Sequence, residues 1–253
     1  MDLHLENKTA LVTGGSHGLG AAICRGLAAE GARIAVNYRR NPQIAEALVE
    51  EIIADFAVQA IIAEGSVSER DQVTALFDKI EKRLAPVDLL INNAGISPTS
   101  YAKDTSPEDW DRTIQTNLSG TFYTCQEMVN RLMQTGRTGR IVNVSSAAAY
   151  LGSSSGRAHY DASKGGVISF TISLAREVAG AGIAVNAVAP GLMMTEMTAE
   201  RFEANRDKYL GTVPLKRFGD IEEIANVIVF LASDRAGYMT GTVVNVSGGL
   251  LMG

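Results

Sequence analysis

The chain has 253 residues, of which 46% are hydrophobic and 20% are charged, and its formal net charge is −5 at pH 7. This composition excludes a disordered or fibrous chain, and the acidic balance argues against a broad surface for nucleic acid or an anionic membrane. Two cysteines are too few for a disulfide framework. The N-terminus lacks the pattern of a secretory signal, and no apolar run reaches the roughly 18 residues of a membrane span. We therefore expect a cytoplasmic protein with one domain over residues 1–253.

Short apolar runs alternate with longer helical stretches along the chain. Continuously apolar strands separated by helices indicate βαβ units and a parallel sheet covered on both faces. We predict an α/β fold, a doubly wound parallel sheet of about seven strands with a polar, substrate-side insertion around 193–214. The predicted strands lie at 8–13, 33–37, 60–63, 87–91, 140–144, 183–189 and 242–246, and the predicted helices at 21–31, 43–56, 69–84, 107–133, 158–178, 197–209 and 222–232.

A glycine-rich turn follows the first predicted strand. It spans residues 13–20, reads TGGSHGLG, and leads directly into a helix. Glycines in such a turn let the backbone approach a pyrophosphate, whose charge then lies at the helix N-terminus. A tight turn without a ligand is the alternative, and a P-loop is excluded because no Gly-Lys-Ser/Thr follows. The context of strand, loop and helix favours a dinucleotide site.

The end of the second predicted strand indicates which dinucleotide binds. Folds that take NAD usually place an acid there for the ribose 2′-OH, but here the residues are Asn37, Tyr38, Arg39 and Arg40, and the next acid is Glu46 in the following helix. Arginines without a neighbouring carboxylate suit a 2′-phosphate, although both could be solvated surface charges. The pattern favours NADP(H), with NAD(H) as the alternative.

Tyr160 and Lys164 are four residues apart at the start of an apolar-periodic helix. That spacing places the phenol and the ammonium on one helix face. A free tyrosine has a pKa of about 10, and a nearby cation favours the phenolate and brings the group closer to neutral pH. A surface pair of no function is the alternative for this motif taken alone.

Further motifs occur in a fixed order, and together they resemble the short-chain dehydrogenase/reductase family over essentially the whole chain. The resemblance implies a Rossmann fold and transfer of hydride between a nicotinamide dinucleotide and a ketone or secondary alcohol. The motifs are TG-x-x-x-G-x-G at 13–20, Asn-Asn-Ala-Gly at 92–95, Asn117, Ser-Ser at 145–146, Tyr160-x-x-x-Lys164 and Pro-Gly at 190–191.

The resemblance also implies the catalytic roles. Tyr160 is the general acid/base at the substrate oxygen, and Lys164 holds the nicotinamide ribose and lowers the pKa of the tyrosine. Asn117 continues the proton relay to water. A serine after the fifth strand hydrogen-bonds the substrate carbonyl. We assign it as Ser146, with Ser145 as the alternative because the loop to Tyr160 is slightly longer than is usual in the family.

The implied cofactor contacts lie in the glycine turn and at the ends of five strands. The family often has Asp-Val after the third strand and Val-Asp-Gly-Gly near the C-terminus, where this chain has Ser-Val and Val-Ser-Gly-Gly. Those departures affect fine contacts and not the reacting atoms. The cofactor-binding set is Gly14, Ser16, His17, Gly18, Leu19, Gly20, Asn37, Tyr38, Arg39, Arg40, Ser66, Val67, Asn93, Ala94, Gly95, Tyr160, Lys164, Pro190, Gly191 and Thr195.

Three functions remain open. The first is a 3-oxoacyl thioester reductase, because the sequence resembles the 3-oxoacyl-carrier-protein reductase branch; Arg176, with Arg131 and Arg137, could then contact an acidic acyl carrier protein. The second is a sugar or polyol dehydrogenase, and the third is a non-catalytic dinucleotide sensor. The family also implies a homo-oligomer, a dimer or tetramer, with the helix at 158–178 and the apolar C-terminal tail as candidate interfaces.

Two other kinds of site are weighed and set aside. Residues 152–156 match the G-x-S-x-G pattern of α/β-hydrolases, but that fold needs a histidine well downstream of the serine. The histidines are His4, His17 and His159, and the last lies just past the motif. Three scattered histidines without acids or cysteines at ligand spacing also argue against a metal site.

Overall fold

The structure is a computed structural model that describes residues 2–194 and 198–252. Within that part of the chain, seven parallel strands form one sheet in the order β3-β2-β1-β4-β5-β6-β7. The predicted doubly wound parallel sheet is confirmed. The strands are β1 Thr9–Val12, β2 Arg33–Tyr38, β3 Ala60–Glu64, β4 Leu89–Asn92, β5 Gly139–Val144, β6 Ile183–Pro190 and β7 Val243–Val246.

Helices connect the strands and cover both faces of the sheet. Each crossover helix returns the chain to the end of the sheet at which the previous strand began. All strands therefore have their carboxyl ends at one edge of the sheet. The helices are α1 Gly18–Ala29, α2 Pro42–Phe56, α3 Arg70–Arg83, α4 Pro107–Ile114, α5 Gly120–Thr135, α6 Ala148–Leu151, α7 Ala158–Val178, α8 Ala199–Ala204, α9 Arg206–Thr212 and α10 Ile221–Ala232, with a π-helical turn at Gln115–Ser119.

The sheet has a separate hydrophobic core on each face. Ile23 of α1 and Ile228 of α10 are fully buried against one face, and Phe77 of α3 and Met128 of α5 against the other. Successive strand residues point to opposite faces, which is why each core draws on alternate residues of β1. Burial on both faces explains why β1 to β6 read as largely apolar runs in the sequence, whereas β7 at the edge of the sheet is only partly buried.

The chain reverses its direction of winding next to β1. This strand pairs with β2 on one side, Leu11 opposite Ala35, and with β4 on the other, Leu11 opposite Leu90. The loops after β1 and β4 therefore leave the sheet in diverging directions and open a crevice at its carboxyl edge, where doubly wound proteins bind ligands.

The observed helices differ from the predicted ones in two regions. The stretch 107–133, predicted as one helix, consists of α4, a π-helical turn and α5, and the short helix α6 was not predicted. Hydrophobic periodicity cannot detect a single widened turn, because the apolar side chains on both sides of it still face the core. The polar stretch after β6 contains α8 and α9. In the described residues, no helix is long and apolar enough to cross a membrane.

Candidate active site

The glycine turn forms a cradle at the carboxyl end of β1. Gly14 has φ +58°, a left-handed conformation that glycine adopts without strain. A Cβ at this residue would lie 3.0 Å from the Ala94 Cα, and one at Gly20 would overlap the carbonyl oxygen of Gly14. The turn, the start of α1 and the loop after β4 are therefore packed backbone to backbone, which only glycine permits.

Two buried or half-buried asparagines hold the cradle in shape. The Asn37 Oδ1 accepts a hydrogen bond from the Gly14 N–H at 3.1 Å, and its Nδ2 donates to the carbonyls of Ala63 and Gly65, both at 3.0 Å. The Asn93 Nδ2 donates to the carbonyl of Gly14 at 3.0 Å. Both side chains were predicted as cofactor contacts, and the structure places them underneath the turn as its supports.

The cradle fits a pyrophosphate. The first backbone N–H groups of α1, at residues 18–20, have no acceptor within the helix, and the first turn carries no acidic side chain. His17 is exposed at the N-cap, where its Nδ1 lies 3.1 Å from the Ser16 Oγ, and Leu19 is buried beneath the helix. Free N–H donors and the positive end of the helix dipole make this an anion site.

The residues that follow β2 and β3 lie at the same carboxyl edge of the sheet as the glycine cradle. Arg39 and Arg40 are exposed and form no ion pair with the described carboxylates. The Tyr38 side chain is buried; burial and the neighbouring Glu64 raise the pKa of its phenol. The Ser66 Oγ lies 2.8 Å from the Ser68 Oγ, and Val67 is buried against Gly120.

Tyr160 and Lys164 lie on one face of α7 at the same edge of the sheet. The Lys164 Nζ is 5.9 Å from the centroid of the Tyr160 ring and donates to the carbonyl of Val144 at 2.7 Å. Lys164 is only 4% exposed, and burial lowers the pKa of its ammonium from about 10.5 to about 8. The predicted pair is thus a partly buried phenol next to a desolvated amine.

The two serines after β5 have different surroundings. Ser145 is buried, and its Oγ donates to the backbone carbonyl of Lys164 at 2.8 Å. Ser146 is half-buried, and its Oγ accepts from the Ala148 N–H at 3.2 Å, which leaves its hydroxyl proton available. The hydroxyl of Ser145 holds α7 against β5, whereas that of Ser146 can still donate to a ligand.

Asn117 lies in the π-helical turn and is fully buried. Its side chain pairs with the backbone of Ile96, accepting from the N–H at 2.8 Å and donating to the carbonyl at 2.9 Å. The Asn117 Nδ2 also donates to the Ser163 Oγ, which donates in turn to the carbonyl of Tyr160 at 2.6 Å. The widened turn thus ties the loop after β4 to the helix that carries Tyr160.

The remaining predicted contacts surround the same crevice. A Cβ at Gly95 would lie 3.5 Å from the Lys164 Nζ, so this glycine adjoins the amine directly. Pro190 ends β6, and the Gly191 N–H donates to the carbonyl of Val246 at 2.9 Å. Thr195 lies outside the described residues.

Comparison with known proteins decides which family this site belongs to. A family model described as enoyl-(acyl carrier protein) reductase matches residues 14–251. The chain belongs to the short-chain dehydrogenase/reductase family. It is 43% identical over 250 residues to a 3-oxoacyl-[acyl-carrier-protein] reductase of Staphylococcus epidermidis, covering 97% of this chain and 100% of that protein. A reductase of the same description from Synechocystis is 41% identical over 249 residues, with 98% of each chain covered.

Solved structures agree with this assignment. A putative short-chain alcohol dehydrogenase from Sinorhizobium meliloti superimposes with a TM-score of 0.93 at 34% identity, covering 99% of this chain and 98% of the other. As a member of the short-chain dehydrogenase/reductase family, the protein is an oxidoreductase that acts on CH–OH groups and uses a nicotinamide dinucleotide. In residues 2–194 and 198–252, no three His, Cys, Asp or Glu side chains gather as metal ligands do.

Two of the three arginines predicted to contact a carrier protein are already in ion pairs. Arg131 pairs with Asp78, Glu81 and Glu127. Arg137 donates to Asp88 at 2.6 Å. Arg176 is exposed and forms no ion pair within the described residues. An arginine that is already paired with carboxylates of its own chain interacts more weakly with an acidic partner. The three arginines therefore do not form one unpaired basic patch.

The site holds two side chains that sequence reasoning did not single out. Ser163 is the link between Asn117 and the backbone of Tyr160 described above. The Arg157 guanidinium lies over the Tyr160 ring, with its Cζ 5.5 Å from the centroid. Both are three residues from Tyr160, so helical spacing was the available signal.

Proposed function

We propose that the protein is an NADP(H)-dependent reductase of 3-oxoacyl thioesters, in which Tyr160 donates a proton to the substrate oxygen. The observation that carries the proposal is the juxtaposition of Tyr160 and Lys164 on α7, at the edge of the sheet that also holds the glycine cradle. The identity of 41–43% to 3-oxoacyl-[acyl-carrier-protein] reductases over nearly the whole chain supports the substrate class.

Tyr160 and Lys164 would work as one acid–base unit. A cation close to the phenol favours its ionised form, so the tyrosine exchanges a proton more readily near neutral pH than a free phenol does. Lys164 would also hold the nicotinamide ribose by hydrogen bonds. When bound, the dinucleotide supplies the hydride for reduction of the carbonyl carbon.

Ser146 and Asn117 would complete the site. The free hydroxyl proton of Ser146 supports its assignment as the donor to the substrate carbonyl, in preference to Ser145, whose hydroxyl is committed to the Lys164 backbone. Asn117 would act on the proton relay by holding Ile96 and Ser163 in place. A hydrogen bond that strengthens as charge develops on the carbonyl oxygen lowers the barrier.

The preference for NADP(H) rests on Arg39 and Arg40. Both guanidinium groups are exposed and without carboxylate partners among the described residues. A 2′-phosphate would find two free cations there, which is the arrangement that phosphate recognition requires. Glu64, the acid at the end of β3, is close enough to the Tyr38 phenol to raise its pKa. NAD(H) would lack this interaction and bind more weakly.

The remaining proposals concern the surroundings of the site. The segment 193–214 would form the substrate side of a single domain, an acyl carrier protein would present the thioester, and the protein would work as a cytoplasmic homo-oligomer. Exposed apolar side chains on α5 and α7, among them Phe122 and Ile172, support association of this kind.

Steady-state reduction of an acetoacetyl thioester tests the proposal, with NADPH and NADH compared. We expect rapid turnover with NADPH and little with NADH. Tyr160→Phe removes the proton donor and is expected to lower kcat by about 10²-fold or more while NADPH affinity is retained. The double variant Arg39→Ala/Arg40→Ala should lose most of the preference for NADPH, with kcat for NADH unchanged.

Other outcomes identify the alternatives. Tight binding of NADPH without thioester turnover, but with oxidation of glucose or a polyol, would indicate that the substrates are sugars or polyols. Equal activity of Tyr160→Phe and the unaltered protein would refute the assigned acid. A clear preference for NADH would show that Arg39 and Arg40 are surface charges only.

A further inference from the structure

A second cation adjoins the tyrosine of the site. The Arg157 Cζ lies 5.5 Å from the centroid of the Tyr160 ring, slightly closer than the Lys164 Nζ at 5.9 Å. Arg157 is half-buried at the N-cap of α7, one helical turn before Tyr160. The phenol ring is therefore flanked by two positively charged side chains from its own helix.

Among the described residues, Arg157 has no direct ion-pair partner. Its Nη2 donates to the Ser153 Oγ at 2.9 Å, and that hydroxyl donates to the Asp161 Oδ1 at 3.0 Å. Its Nε is buried and makes no hydrogen bond with the described residues. Arg157 is thus linked to Asp161 through an intervening hydroxyl, while its guanidinium lies over the Tyr160 ring.

The loop residues that directly follow β4, β5 and β6 carry no charge in the described part of the chain. Residues 93–100, 145–149 and 190–194 contain no Asp, Glu, Lys, Arg or His. On α7 itself, the charged or titratable neighbours are Arg157, His159, Asp161 and Lys164, and the His159 Nε2 lies 3.2 Å from the carbonyl of Pro98. Glu196 lies outside the described residues and is therefore given its own variant below.

We infer that Arg157 is a positioning residue that stabilises the ionised form of the Tyr160 phenol, as a second electrostatic partner beside Lys164. A guanidinium stays protonated throughout the range in which proteins are stable, whereas the buried ammonium of Lys164 loses its proton near pH 8. At alkaline pH, Arg157 is the cation that continues to act on the phenol. This inference rests on the acid–base role proposed above for Tyr160.

Titration of the phenol by near-ultraviolet absorbance tests the inference without substrate or cofactor. The Tyr160 signal is the difference between a given protein and the same protein with Tyr160→Phe. We expect Arg157→Gln to raise the midpoint of that signal by about 0.5 to 1 pH unit, and Arg157→Lys to raise it by less than half as much. Asp161→Asn removes the nearby negative charge and should shift the midpoint in the opposite direction.

Three further variants serve as controls. Arg83→Gln removes an exposed cation from α3 and is expected to leave the midpoint unchanged. Glu196→Gln shows whether that acid also acts on the phenol. Because Arg157 occupies the N-cap position of α7, circular dichroism and the thermal midpoint establish that each variant is folded. Arg157→Met provides a second neutral variant.

The pH dependence of kcat/KM provides a second, kinetic test of the inference. In the oxidation direction, the acidic limb of kcat/KM should move to higher pH in Arg157→Gln by the same amount as the phenol midpoint, with the plateau value retained. An unchanged midpoint in both neutral variants would overturn the inference. A shifted midpoint in a protein that turns over no ketone would leave the inference standing and refute the proposed function instead.

Discussion

At the residue scale, the site depends on a lysine that is costly to bury. Lys164 is 4% exposed, and desolvation lowers the pKa of its ammonium to about 8. Near neutral pH the amine is therefore still protonated in an environment that favours its neutral form. The site retains a charge that destabilises the fold, which is a common compromise between activity and stability.

Replacing Lys164 with methionine should stabilise the protein at pH 7. The lowered pKa corresponds to about 3 kcal/mol, and loss of the hydrogen bond to Val144 subtracts about 1 kcal/mol, so we expect a gain of about 2 kcal/mol. Between about pH 8 and 10.5 the unfolded chain binds the proton and the folded one does not, so the unaltered protein gains stability with rising pH there. The advantage of Lys164→Met should consequently disappear by about pH 10.

Urea unfolding at fixed protomer concentration measures this difference. The exposed Lys82, replaced in the same way, is the control and should show no pH-dependent gain. A Lys164→Met protein that is less stable at pH 7 than the unaltered one would contradict the assignment of Lys164 as a desolvated cation.

At the scale of elements, the cofactor cradle is a contact between three backbone segments. The turn after β1, the first turn of α1 and the loop after β4 approach so closely that a Cβ at Gly20 would overlap the carbonyl oxygen of Gly14 and lie 2.8 Å from the Asn93 Nδ2. Backbone cannot move aside as a flexible side chain can. The shape of the anion site is therefore fixed by packing and by the hydrogen bonds from Asn37 and Asn93.

Gly20→Ala should disturb both the fold and cofactor binding. We expect a loss of about 1–3 kcal/mol in unfolding free energy, the usual cost of overpacking, and at least about a tenfold weaker affinity for NADPH, because the N–H donors of α1 move. Gly165→Ala, where a Cβ meets nothing nearer than 4.0 Å, is the control in α7. It should gain about 0.5–1 kcal/mol from helix propensity. Urea unfolding and NADPH fluorescence give the two quantities, and an unaffected Gly20→Ala protein would refute the close approach.

At the scale of the whole molecule, α5 and α7 present an apolar surface. Phe122 and Ile172 are each 38% exposed, and Met133 is 58% exposed. The Phe122 ring packs edge-on against Phe170, with centroids 5.9 Å apart, so the exposed side chains are held in position by α7. Exposed apolar side chains that form a patch often mark an interface between protein subunits.

Light scattering after size-exclusion chromatography should therefore show a dimer or a larger oligomer. Combining Phe122→Glu with Ile172→Glu places charges on the proposed interface and should yield smaller species, because buried unpaired charge is unfavourable. Ile44→Glu, which changes an exposed residue of α2, is the control and should leave the oligomer intact. A monomeric unaltered protein would refute the proposed interface.

Much of the fold and of the candidate site follows from local patterns in the sequence. Strands buried on both faces read as apolar runs, so β1 to β6 could be predicted within a few residues. The half-exposed β7 and most helices were also predicted within a few residues. The glycine turn and the Tyr160-x-x-x-Lys164 pair are contiguous motifs, and their spacing implies a shared helix face. The presence of seven strands alternating with helices was enough to predict the parallel sheet.

Tertiary structure decided what the side chains contact, because those contacts join residues far apart in the chain. Asn37 supports the glycine turn from below, Ser145 is tied to the Lys164 backbone while Ser146 keeps a free proton, and Arg131 is held by carboxylates from α3 and α5. The widened turn at Gln115–Ser119 carries Asn117, whose side chain hydrogen-bonds the distant backbone of Ile96. Sequence alone determined which chemical groups reach the carboxyl edge of the sheet. Burial and pairing, which exist only in the folded chain, determined which of them remain free to act on a ligand.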